Sequence, residues 1–333
     1  MTVLAVPVGV DGLGDALTAV LLRVRGGDVE VQDLRRLSGG ASMETWVFDV
    51  VGAEAPDRLV LRRDRAGVPQ SSRLDEARLL TLVREHGVPA PKVVCSGEAD
   101  EVGTSYLIME HLDGETIPRR LLRDATFESA RPRLVGQVAA ALAGTHRVPA
   151  RDATFLGPSK DAEAMVREYA DVLRRLGDPS PALELAVRWL LRHLPAPVAP
   201  ALVHGDCRTG NLMVDSSGLV AVLDWELAHT GDPREDLGWF CVRAWRFGND
   251  DRQAGGFGTR RELLEAYAEA GGGEVDEAAL RFWELFGTLK WGVVCMSQAA
   301  IYLRGDDPSM ELAAIGRRVA ETEYDVLNLL GEA

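Results

Sequence analysis

Three side chains suited to phosphate chemistry fall close together in this 333-residue chain. Residues 203–214 read V-H-G-D-C-R-T-G-N-L-M-V, with Asp206 and Asn211 five positions apart, and Asp224 opens the D-W-E-L run thirteen positions later. Transfer of a phosphoryl group to a hydroxyl needs one carboxylate at the attacking oxygen and further oxygen ligands for Mg²⁺ on the phosphates. Asp206 can serve as the first, with Asn211 and Asp224 as the others. The apolar runs 212–214 and 219–223 flank a four-residue turn and predict a β-hairpin. That hairpin would bring Asn211, at the start of one strand, beside Asp224, at the end of the other. Two oxygen donors meeting there suit a hard cation.

The elements that must carry this hairpin are legible on either side. Residues 14–25 have helical periodicity that stops at Gly26-Gly27. Short strand-like runs follow at 29–37, 45–51 and 58–63, then a helix over 74–86 and strands over 92–95 and 105–110. From Ile117 onward the pattern is helical apart from the hairpin, with helices over 130–146, 162–176, 180–193, 260–270, 278–302 and 310–330. Residues 249–259, rich in Gly, Asp and Asn, predict a mobile loop. The expected class is α+β, with a small β-rich lobe over 1–111 and a larger, mostly helical lobe over 112–333.

H-G-D-x-x-x-x-N followed by D-W resembles the aminoglycoside phosphotransferase family, whose members share the two-lobed fold of protein kinases. The flanking runs L-S-G-G-A-S-M-E-T-W, L-V-L-R-R and D-W-E-L-A-H-T-G-D-P-R-E-D-L resemble a bacterial branch of it, related to the kinase-like domain fused to some acyl-CoA dehydrogenases. The likeness extends over residues 34–328. It implies Asp206 as catalytic base, Asn211 and Asp224 as Mg²⁺ ligands, and Asp236 as a residue bracing the catalytic loop, with His204 as a buried imidazole orienting it. Arg208, beside the base, could neutralise the γ-phosphate as the transition state forms, or be a surface charge.

In the small lobe, Ser38, Gly39 and Gly40 connect two predicted strands, and the glycines would let backbone N–H groups approach ATP phosphates. Kinase-like folds carry a Lys on the following strand, paired with a helix Glu. Here the resemblance places Arg62 at that position and Glu76 as its partner. Strand alternation puts Val60 on the Arg62 face, to cover the adenine, and turns Arg63 away. Arg keeps the charge but is longer and planar, so it is not equivalent to Lys. Met109 would back the adenine ring, with the Glu110 carbonyl and the Leu112 N–H at its edge.

Composition sets wider limits. The chain is 46% hydrophobic and 26% charged, with a net charge of −14, which disfavours nucleic acid as a partner. Four scattered cysteines form no C-x-x-C, so they suggest reduced thiols, and the position of Cys207 beside the base would allow it to be accessible. The first residues lack the basic segment of a signal peptide, and no apolar stretch reaches the roughly eighteen residues of a membrane span. A cytoplasmic protein is expected. H-G-D lacks the Arg of H-R-D, Trp225-Glu226 stands where protein kinases have Phe-Gly, and Asp236 follows Asp224 by only twelve positions. These features favour a small hydroxylated acceptor over a peptide. The leading expectation is an ATP- and Mg²⁺-dependent O-phosphotransferase, with GTP as the alternative donor. The rivals are a regulatory nucleotide-binding pseudokinase and an antibiotic-resistance kinase. Glu226, His229, Glu321 and Glu323 are candidate acceptor contacts, and Trp283, Phe286, Trp291, Met296 and Tyr302 form a core-like stripe.

Overall fold

A computed structural model describes residues 10–37, 43–52, 57–64 and 73–331. They divide into two compact units, Met1–Asp113 and Gly114–Ala333.

The first unit contains α1 (Val10–Arg25), β1 (Val29–Arg36), β2 (Met43–Gly52), β3 (Asp57–Asp64), α2 (Arg73–Glu85), β4 (Val93–Gly97), α3 (Ala99–Val102) and β5 (Tyr106–Glu110). Its strands form one antiparallel sheet in the order β1-β2-β3-β5-β4. Alternation sorts the β3 side chains onto two faces. Leu59 and Leu61 join Leu13, Leu17 and Leu21 of α1 in the core, while Val60 and Arg62 point the other way. Arg63 lies on the α1 face, where its guanidinium pairs with Glu44 at 2.8 Å and covers the Trp46 ring.

The second unit contains α4 (Pro118–Arg123), α5 (Arg131–His146), α6 (Ala162–Leu176), α7 (Pro181–Arg192), β6 (Ala201–Val203), β7 (Leu212–Asp215), β8 (Gly218–Val222), β9 (His229–Gly231), α8 (Arg234–Cys241), α9 (Arg260–Glu269), α10 (Glu277–Arg304), α11 (Met310–Gly316) and α12 (Val319–Gly331). The architecture is a β-rich unit followed by a mainly helical one, the expected α+β class. Ser180, Thr259 and Asp276 accept N–H groups in the first turns of α7, α9 and α10 and fix where those helices start. Trp283, Phe286 and Met296 of α10 pack with Met165, Leu183 and Val326, so those members of the aromatic stripe are core.

Three expectations need correction. The run 310–330 is two helices, broken at Arg317-Arg318. A second two-stranded sheet, β6 with β9, precedes and follows the β7–β8 hairpin. Residues 249–259 are not a loose loop: Ala254–Phe257 are buried, and Ala254 and Gly258 bridge one another. Glycine does this by permitting close contact. A Cβ on Gly255 would lie 2.3 Å from the Phe240 ring, and one on Gly258 2.9 Å from Val135.

Candidate active site

The loop between β6 and β7 is anchored from below by one carboxylate. Asp236, in the first turn of α8 and fully buried, accepts the N–H of His204 at 2.8 Å and that of Gly205 at 2.9 Å. His146 Nε2 donates to the same carboxylate at 3.0 Å, and its Nδ1 accepts the Tyr267 hydroxyl at 2.7 Å. Burial acts to raise the Asp236 carboxyl, but the His146 and His204 donors outweigh it and hold the group below the usual range.

His204 ties the loop to the end of β8. Its Nδ1 accepts the Asp206 N–H at 3.1 Å and its Nε2–H donates to the Leu223 carbonyl at 3.1 Å. Complete burial pushes its pKa down and favours the neutral imidazole, whose tautomer these two hydrogen bonds fix. Gly205 has φ +78°, and a Cβ there would stand 2.5 Å from the Leu227 carbonyl oxygen. Its own carbonyl accepts the buried Lys290 ammonium at 2.8 Å.

These anchors leave Asp206 facing three donors. Trp239 Nε1 donates to Oδ1 at 2.9 Å, and Asn211 Nδ2 donates to Oδ2 at 2.7 Å and to the Asp206 carbonyl at 2.9 Å. Arg208 Nε is 3.2 Å from both oxygens, and its guanidinium covers the Trp245 ring with 5.2 Å to the centroid. Asp206 and Arg208, named from the sequence as separate contributors, are therefore one ion pair. Thr209 is buried beneath them, its hydroxyl 2.9 Å from the Trp245 carbonyl and 2.8 Å from that of Gly255.

The hairpin forms as expected, with a register shift between Met213 and Val214 and a tighter turn at Ser216-Ser217. Leu223 N–H donates to the Asn211 carbonyl at 2.8 Å, which makes Asp224 the residue following the one opposite Asn211. Asp224 has φ +66°, in the left-handed region that non-glycine residues seldom occupy and that clusters at functional sites. The Asn211 amide hydrogens are used by Asp206, which leaves an amide oxygen and the Asp224 carboxylate as the donor set. One or two such oxygens plus phosphate oxygens suit Mg²⁺. Among the described residues, no group of three or more His, Cys, Asp or Glu could hold a metal by itself.

In the first unit, Arg62 pairs with Glu76, and so does Arg73, which also lies 3.2 Å from Asp64. Val60 stands opposite Met109 in the β3–β5 ladder, and Arg62 opposite Leu107. The Lys92 N–H is taken by the Glu110 side chain at 2.7 Å rather than by its carbonyl. Leu112 is half-buried just beyond β5. Ser38, Gly39 and Gly40 lie outside the described residues.

Other candidates have different occupations. Cys207 is fully buried and burial raises its thiol well above the ordinary value, so it is not an accessible nucleophile. His229 is buried against Glu235 at 3.1 Å, and Glu323 accepts the Ser180 hydroxyl at 2.6 Å. Glu321 is exposed and pairs with Arg318 at 3.1 Å, while Glu226 is exposed. Sequence reasoning passed over Trp239, Thr209, Arg73 and Lys290. Lys290 had a signal, a cation inside the apolar run of α10. Its ammonium lies 3.5 Å from Glu235 and 4.6 Å from the Trp239 ring centroid, and the Glu235 charge keeps its pKa raised against burial.

Known proteins share this architecture. The chain is 26% identical over 293 residues to acyl-CoA dehydrogenase family member 11 of Pongo abelii, covering 79% of this chain and 36% of that one. It spans between 18% and 36% of the length of the acyl-CoA dehydrogenase family members that it matches. Among solved structures, a candidate aminoglycoside phosphotransferase from Ralstonia eutropha JMP134 superposes with a TM-score of 0.77 at 22% identity, over 96% of this chain and 98% of that one. A ternary complex of aminoglycoside phosphotransferase APH(4)-Ia with AMP-PNP and hygromycin B gives 0.58 at 19% identity, over 94% and 97%. Both likenesses establish the fold. A family model described as "Phosphotransferase enzyme family" (APH) matches residues 33–283, and the chain belongs to that family.

Proposed function

We propose that this chain is an ATP- and Mg²⁺-dependent O-phosphotransferase for a small hydroxylated molecule, with Asp206 as its base. The observation that carries the reading is the Asp206 carboxylate, held by Trp239 and Asn211 on a loop that Asp236 anchors through two backbone N–H groups. Such fixation suits a reaction in which positioning and charge neutralisation supply most of the catalysis. Asp206 accepts or orients the hydroxyl proton as the oxygen bonds to the γ-phosphorus and the bond to ADP breaks. Asn211 and Asp224 would hold Mg²⁺, which neutralises phosphate charge when bound.

We assign nucleotide binding to the lobe over residues 1–111 and acceptor chemistry to residues 112–333. Arg62, oriented by Glu76, is the phosphate contact. Val60 and Met109 line the adenine, and the Glu110 carbonyl and Leu112 N–H meet its edge. Ser38, Gly39 and Gly40 complete the set on sequence grounds. The AMP-PNP complex of APH(4)-Ia supports ATP as donor, with GTP as the alternative. A small-molecule acceptor, rather than nucleic acid or membrane lipid, and a cytoplasmic setting fit the acidic composition. No described helix is long and apolar enough to cross a membrane.

The experiment is thermal unfolding with and without ATP and Mg²⁺ on the wild type and Asp224→Ala, followed by ADP release across hydroxylated acceptors. The expected result is a Mg²⁺-dependent shift lost in Asp224→Ala, worth about 2.7 kcal/mol at a hundredfold excess of ligand over Kd, and acceptor-dependent ADP release abolished by Asp206→Asn. Nucleotide binding without turnover on any acceptor favours the pseudokinase, for which Arg62 in place of Lys is the motive. Efficient phosphorylation of aminoglycosides or macrolides favours a resistance role.

A further inference from the structure

Arg208 closes on the carboxylate that phosphoryl transfer would use. Trp239 and Asn211 each supply one donor to Asp206, and both are about 95% buried, at 4% and 5% exposure. Arg208 covers both oxygens at once, yet its side chain is 30% exposed. Of the three donors it is the one that solvent can receive. Stacking on Trp245 gives the guanidinium a second foothold in this position.

The chain makes room for this arrangement. A Cβ on Gly210 would lie 2.5 Å from Arg208 Nη1, so only glycine at 210 lets the arginine fold back in this way. The obstructed atom is the far end of a flexible side chain, so an added methyl would move Arg208 more readily than the loop.

We propose that Arg208 is a latch on Asp206, displaced by the acceptor hydroxyl, which restrains hydrolysis of ATP when no acceptor is bound. The proposal rests on the reading of Asp206 as the base. In the restrained reaction a water oxygen bonds to the γ-phosphorus as the bond to ADP breaks. The water proton passes to Asp206 and on to solvent, giving ADP and phosphate. With the guanidinium in place, each carboxylate oxygen already faces two N–H donors, which compete with that water for its lone pairs. An acceptor that binds elsewhere on the protein as well as at its hydroxyl can meet the cost of displacing Arg208, whereas water cannot.

The test is ADP release from ATP and Mg²⁺ without acceptor, for the full chain, Gly210→Ala, Arg208→Gln and the double variant Gly210→Ala/Asp206→Asn. Gly210→Ala is expected to release ADP about 10- to 100-fold faster than wild type, the factor that a charge-assisted hydrogen bond is worth. The double variant should lose that gain. Equal rates for wild type and Gly210→Ala, with equal ATP-induced thermal shifts, overturn the latch. Acceptor-dependent turnover that still requires Asp206 would then keep the parent reading intact. If Gly210→Ala does not fold, Arg208→Gln decides: a faster rate than wild type supports the latch, and an equal or slower one overturns it. No ATP-induced shift in the wild type overturns the parent reading and the latch together.

Discussion

The indole N–H of Trp239 donates to Asp206 Oδ1 at 2.9 Å, joining α8 to a loop 33 residues earlier in the chain. The same helix carries Asp236, which holds the start of that loop. One short helix thus fixes both the backbone and the carboxylate orientation. Trp239→Phe removes the donor and keeps most of the ring. Its expected effect is a fall in kcat of about tenfold or more, as for loss of one hydrogen bond to a charged group, with KM for ATP unchanged. Steady-state kinetics with a working acceptor check this.

Asp236→Asn should unfasten the loop. Removing one member of a buried charged network costs about 3–5 kcal/mol, readable by urea unfolding at pH 7. The Asp236 carboxyl is held below its unfolded value, so its contribution is complete above about pH 4. It is lost as pH falls through the lowered folded value. The gap between wild type and variant should therefore narrow in acid below pH 4.

His229 gives the opposite sign. Burial lowers its pKa, but the hydrogen bond and charge of Glu235 prevail and raise it. A raised folded pKa stabilises most below the unfolded value of about 6.5 and fades as pH rises through the folded one. His229→Gln should consequently lose more Tm at pH 6 than at pH 8.5. Thermal scans at the two pH values decide it.

Gly205→Ala places a Cβ 2.5 Å from the Leu227 carbonyl oxygen at φ +78°. Backbone cannot swing aside as a side chain can, so strain of about 1–3 kcal/mol is expected. The loop and the turn after Asp224 should shift together. Loss of turnover with a lowered urea midpoint is the anticipated pair of results.

Much of this was legible in the residues themselves. The hairpin was readable because its apolar runs flank a turn of Asp and Ser, and the Arg62–Glu76 pair because the resemblance to kinase-like folds implies a strand cation paired with a helix Glu. What escaped were contacts formed across long stretches of chain. Nothing local to Trp239 indicates that its N–H meets Asp206. Lys290 stood out only as a charge in an apolar run, and its partners lie on three other segments. Cys207 misled for a related reason: its neighbours in sequence are polar, while its neighbours in space exclude water. The run 249–259 misled most. Gly, Asp and Asn favour turns by their conformational freedom, and composition does not say whether the turn faces solvent.

That last segment bears on how this protein tolerates change. Loops with such composition are the usual sites for insertions, tags and circular permutation. Here the Gly255 carbonyl meets the Thr209 hydroxyl directly beneath Asp206, and Gly255 and Gly258 leave no space for side chains. Lengthening this segment would lift the floor from under the reacting carboxylate, so a stretch that looks expendable in an alignment is closed to length variation.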